Sequence, residues 1–202
     1  MRVVGVLVGA IAVGWALAWS WDRFPVHAGA VGAVAMLAAA FHMRRHWAAR
    51  RRTVGDDPGA RERHAWHSLV GLGLICGHLM GSLLSGLDLR VGSGNTLAID
   101  NWILIVGAAA AWLVLRPKEM ERDERDIKLA NRGAHAGLAA MTGILVLLLL
   151  LLGFAPPAVA DRLDPFTLGN VLVVVILVAW LARYATQLIG YWAASRPGRH
   201  DV

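Results

Sequence analysis

The chain reads as an all-α, polytopic membrane bundle of six transmembrane helices with both termini in the cytoplasm. Three observations predict it. Hydrophobic residues reach 57 % and charged residues only 17 %, with a mean hydropathy of +0.53, outside the norm for soluble domains. Six aliphatic windows of about 18 to 22 residues match the length that crosses roughly 30 Å of hydrocarbon at about 1.5 Å per residue. Of the 20 Lys and Arg residues, 17 fall in alternate connections and the two tails, which the positive-inside rule places in the cytoplasm.

Taken in order, the first window covers 3–20 and follows Arg2. With "ALA" at 16–18 it also resembles a signal peptide with a small-residue cleavage site. The five-residue connection "WDRFP" runs straight into a second apolar window, 26–43, and Pro25 is preset for a first helical turn, so a helical hairpin is the natural reading. The connection 44–65 carries Arg44, Arg45, Arg50, Arg51, Arg52, Arg61 and Arg63 and is read as a cytoplasmic loop. The third window, 66–87, contains "GLICGHLMGSLLS", in which Gly73, Gly77, Gly81 and Ser85 recur every four residues. In lipid, small residues in such a register let helix backbones approach, which predicts that this is the central helix. Gly5 with Gly9, and Ala28 with Gly32, Met36 and Ala40, form weaker ridges.

The fourth window covers 97–115, the fifth 134–155 and the sixth 166–185. The unbroken Leu and Val run makes the fifth the most lipid-facing. Between the fourth and fifth lies a second cytoplasmic connection, 116–133, holding Arg116, Lys118, Arg122, Arg125, Lys128 and Arg132. Trp19, Trp21 and Trp102 fall near the outer boundary, and Trp47, Trp66, Trp112 and Trp192 near the inner one, as amphipathic rings at headgroup level do.

Polar groups inside hydrocarbon are expensive, so each is a candidate site. His78 is the deepest, Ser82 follows one turn later, and Asp100 and Asn101 stand near the outer end of the fourth window. They are read either as structural groups, with Asp100 and Asn101 capping their own helix, or as a polar path for a small solute or proton from the outer face. Eight histidines raise a second alternative, a b-type haem held by two imidazoles at one depth, with His42, His67 and His135 as ligands near the inner face. His78 and His27 lie at other depths, without evident partners. The expectation is no cofactor, because these inner histidines border arginines. The lone Cys76 excludes an intramolecular disulfide and a multi-cysteine zinc site.

The segment "ERDERDIKLANRGAHAG" (121–137) pairs Glu121 with Arg125 and Glu124 with Lys128 at i and i+4, the favourable orientation for a helix that buries nothing. It is read as a cytoplasmic helix bending into the fifth span at 131–133. The segment resembles the Asp-Glu-Arg-Asp/Glu motif that precedes a membrane span in several families of small bacterial inner-membrane proteins of unknown function. The resemblance implies a bacterial inner-membrane setting, with Asp123, Glu124, Arg125 and Asp126 as motif positions. No Gly-rich phosphate loop, HExxH or Gly-x-Ser-x-Gly supports an enzyme. The expected function is therefore a non-enzymatic membrane module that docks a protein partner or a second copy through its charged inner connections. The expected partners include membrane lipid, because basic residues at span ends suit anionic headgroups, and exclude nucleic acid.

Overall fold

The computed structural model describes residues 2–20, 27–54, 59–86, 89–92, 94–115, 124–156 and 164–194. They form six helices: α1 (Arg2–Trp19), α2 (Ala28–Val54), α3 (Ala60–Leu84), α4 (Leu97–Leu115), α5 (Glu124–Phe154) and α6 (Pro165–Ala194). No strand occurs among the described residues. Five of the six, all but α2, are long and apolar enough to cross a membrane, and the chain is a multi-pass helical membrane protein. In α2 the apolar run ends at Met43, and Arg44, Arg45 and His46 follow on the same helix. That charge lowers its hydropathy without shortening it, and it packs along α4.

The helices alternate up and down. Trp47 of α2 lies beneath Arg63 of α3, Arg44 of α2 reaches the Val114 carbonyl of α4, Arg61 of α3 approaches Asp126 of α5, and Tyr191 of α6 bonds the same carboxylate. All described helix ends of one hand thus gather at an arginine-rich end. The termini of α3 and α6 follow from their sequence. Gly86 adopts φ 67° after the Ser85 C-cap, the left-handed position that glycine occupies without penalty. The Thr167 N–H donates to Asp164 at 2.7 Å, capping α6 and holding the Asp164 carboxyl below the usual carboxylate range.

The central position of α3 is as expected, with α1, α4 and α6 packed around it. Its glycine ridge faces α1. A methyl group added at Gly77 would strike the Ile11 carbonyl, one at Gly73 would sit 3.1 Å from the Ala10 methyl, and one at Gly81 3.0 Å from that of Ala18. The reciprocal notch on α1 is Gly14, against the Leu74 carbonyl. Gly5 and Gly9, by contrast, have no neighbour within 4 Å and form no ridge. The weaker α2 ridge faces α4 through Gly32, against the Leu104 side chain, and Met36, beside Gly107, and the neighbouring Gly29 and Ala33 come closest, abutting the Asp100 backbone and Gly107. Apolar burial concentrates between α3 and α6, around Leu69, Cys76, Leu181 and Leu188, and between α2, α3 and α4, around Met36, Leu74, Leu104 and Ala111.

Two boundaries differ from the sequence reading. Much of 44–65 is helical, because α2 continues to Val54 and α3 already begins at Ala60; the arginines there ride on helices. Likewise α5 is continuous through 131–133. Gly133 marks a close crossing there, since a methyl group on it would lie 2.6 Å from the Arg183 carbonyl oxygen. As expected, α5 is the most lipid-facing helix, with only Gly133 and Gly137 buried.

Candidate functional site: a buried carboxylate and two histidines

The polar residues of α3 and α4 meet near the end opposite the arginines. His78 lies six residues before the end of α3, about 9 Å along its axis. It is fully buried and its Nδ1–H donates to the Asn101 Oδ1 at 3.0 Å. With that proton on Nδ1, the other ring nitrogen is an acceptor, and Nε2 has no partner. Next to Asn101, Asp100 is also buried, at 0 % exposure, and sits 3.2 Å from the Nδ1 of His27, whose side chain is 46 % exposed. That contact is within ion-pair reach but misaligned for a hydrogen bond, and Oδ1 has no hydrogen-bonding partner. The Thr96 hydroxyl donates to Oδ2 at 3.1 Å. Gly29 makes this possible: with no side chain it lets the start of α2, and hence His27, close against the Asp100 backbone.

Sequence reading had left His27 and His78 without partners, and both have them. It also offered Asp100 and Asn101 as caps of their own helix. The cap is Asn95, whose Oδ1 accepts the Leu97 N–H at 3.1 Å, which frees Asp100 and Asn101 to face α2 and α3. Ser82 is buried in the same region, but its hydroxyl donates to the His78 carbonyl at 2.8 Å, and Ser85 does the same to Gly81 at 2.7 Å. Both serines therefore satisfy their own helix and add nothing to the polar cluster. Thr96, four residues before Asp100 on the same helical face, was the signal that sequence reading passed over.

At the arginine-rich end the histidines do different work. His67 donates from Nε2 to the Ala108 carbonyl at 3.1 Å, fastening α3 to α4. His64 accepts the Trp112 Nε1–H at 2.8 Å through Nδ1 and meets the Tyr184 hydroxyl at 3.4 Å through Nε2, joining α3, α4 and α6. Neither Trp112 nor Tyr184 stood out in the sequence as a partner. Of the three haem-ligand candidates, His42 and His135 are exposed on α2 and α5, which are not packing neighbours, and His67 is engaged with Ala108. Among the described residues no group of three or more His, Cys, Asp or Glu side chains is placed to hold a metal ion.

The charged motif divides. Asp123 lies outside the described residues, as do Glu121 and Arg122. Glu124 pairs with Lys128 at 2.9 Å, both strongly exposed, the i and i+4 pair expected. Arg125 lies over the Tyr191 ring at 5.9 Å. Asp126 accepts the Tyr191 hydroxyl at 2.7 Å and has Arg61 4.0 Å away. Half of the motif is thus a staple holding α5 to α6 and α3. No family model, curated protein or solved structure matches the chain.

Proposed function

We propose that the chain is a bacterial inner-membrane protein with both termini in the cytoplasm and no enzymatic chemistry, and that its working site is the Asp100 cluster, a proton-binding element reached from the outer face. The observation that carries this reading is a carboxylate at 0 % exposure on a membrane-crossing helix. A buried ionisable group in hydrocarbon costs several kcal/mol in stability, so it is expected where protons or ions are handled. Around it stand His27, half open to the outside, Thr96 and, through Asn101, His78. His27, 3.2 Å from the buried Asp100 carboxyl and itself 46 % exposed, is the polar group that links Asp100 to the outer face. Inward of the cluster the α3 and α4 seam is apolar, with Leu104, Ile75 and Leu74 buried, so the element opens to one side only. This favours a proton-responsive module, or the outer half of a proton-linked transporter, over docking through the charged motif, since Asp126 is already engaged with Tyr191.

Infrared spectroscopy of the reconstituted protein tests it. A carboxylic C=O band that grows on acidification and disappears in Asp100→Asn is expected. A titration whose carboxyl signal is the same in wild type and Asp100→Asn removes the reading. The orientation has its own test: a cytoplasm-only reporter fused after Val202 is expected to be active and one at Gly92 silent. The reverse pattern inverts the site to the cytoplasmic face.

A further inference from the structure

Although α1 and α2 are consecutive, they touch only marginally, because α1 packs on α3 and α2 on α4. The gap is a trench of about 540 Å³ floored by Val70, Gly71 and Leu74 of α3, with Gly9 and Ala39 among its walls, a volume in the range of small-molecule sites. Its lining is almost wholly apolar and opens sideways toward lipid. Along α2 it runs from Ala35 to Trp47, about 18 Å at 1.5 Å per residue, close to the depth of one leaflet, half of about 30 Å. Its arginine-side mouth is framed by Trp47 and Trp66. Three arginines lie close in sequence or space to residues that line it. Arg63 lies over the Trp47 ring at 5.5 Å. Arg44 follows the lining residue Met43, using Nη1 on the Val114 carbonyl at 3.3 Å. Arg2 is exposed one turn before Val6 on the same stripe of α1. Glu62 is the one acid in the first turn of α3.

We infer that this trench is a binding site for one anionic phospholipid of the leaflet at the arginine-rich end, an acyl chain lying between α1 and α2 and the phosphate held by Arg44, Arg63 and Arg2. The charge at the mouth selects the occupant. A neutral amphipath would fill the apolar part equally well but would gain nothing from three arginines, whereas a phosphate accepts their forked N–H donors. The lipid completes the hairpin by covering faces of α1 and α2 that no other described helix covers.

Native mass spectrometry of the full chain, released from nanodiscs of equal phosphatidylglycerol and phosphatidylcholine, tests this. One retained phosphatidylglycerol is expected per chain. Gly9→Leu, where an added methyl group meets nothing within 4 Å, fills the trench without disturbing the fold and is expected to abolish retention at unchanged helicity. Arg44→Gln with Arg2→Gln is expected to lower the preference for phosphatidylglycerol by about fivefold per arginine while leaving a lipid bound. Equal retention of the two lipids by the wild type, or undiminished retention in folded Gly9→Leu, overturns the assignment.

Discussion

Gly77→Leu is expected to destabilise the detergent-solubilised protein by about 3 kcal/mol or more, the upper range for overpacking, while Gly5→Leu changes its stability by less than about 0.5 kcal/mol. Both glycines lie on apolar helices, and both were offered by sequence spacing as packing ridges. They differ in what stands opposite. A first side-chain carbon at Gly77 collides with the Ile11 carbonyl, which is backbone and cannot rotate away, while at Gly5 it meets nothing within 4 Å. The collision separates α1 from α3 along a crossing that also holds Gly14 against the Leu74 carbonyl and Gly73 against Ala10. Because helices in lipid have no hydrophobic drive to re-associate, the lost contacts are not replaced by a new packing. Thermal midpoints of the two variants, followed by tryptophan fluorescence, decide the matter. Equal midpoints would show that the α1 and α3 crossing does not hold the bundle.

What sequence could and could not reveal follows from the same distinction. The helix positions and the central helix were legible because hydropathy over a window and glycine at every fourth residue are local properties, although only five of the six helices are long and apolar enough to cross a membrane. The partner of a ridge is not local. Gly5 with Gly9 and Gly73 with Gly77 share one spacing, yet only the latter meets a backbone. His78, Asp100 and Asn101 were legible as candidates because any polar group at that depth stands out against aliphatic neighbours. The contact of Asp100 with His27 was not, since it depends on Gly29 bringing the start of α2 onto the Asp100 backbone across 71 residues of chain. The extents of α2 and α5 were misread for a related reason. Charge in a window signals the edge of the hydrocarbon and says nothing about where helical hydrogen bonding stops, so Arg44 and Arg45 were assigned to a connection although α2 carries them, while Lys128 was read as helical and only the bend at 131–133 was misplaced. Within the charged motif, the i and i+4 pairing of Glu124 with Lys128 is intrahelical and was found. The bond from Tyr191 to Asp126 joins residues 65 apart and left no trace in spacing.

Gly133→Leu is expected to release α5 from the bundle without unfolding the rest. This helix is secured on one side only: it packs against α6 and makes marginal contact elsewhere, and its outer half is bare aliphatic surface, with Leu149 68 % exposed. The crossing rests on two glycines one turn apart. A methyl group at Gly133 would stand 2.6 Å from the Arg183 carbonyl oxygen and one at Gly137 2.8 Å from that of Ala179, so leucine at either position pushes α5 off α6. The remaining link is the staple of Tyr191 and Asp126 with Arg61, a hydrogen bond to a carboxylate of about 1.5 to 3 kcal/mol and an ion pair that, at 4.0 Å, is at the limit of contact and adds little. Overpacking of about 1 to 3 kcal/mol at the crossing is of the same size, which makes detachment a population shift that can be read locally. Trypsin reports it at Arg125, Lys128 and Arg132, which lie on the first turns of α5. Cleavage there is expected to rise by about tenfold or more in Gly133→Leu, with further gain in the double variant with Tyr191→Phe, while the tryptophan-monitored melting of α1 to α4 and α6 moves little. Gly143→Leu, on the same helix and with no neighbour within 4 Å, is expected to cleave at the wild-type rate. Equal cleavage of Gly133→Leu and Gly143→Leu would mean that α5 is held by something other than its glycine crossing with α6.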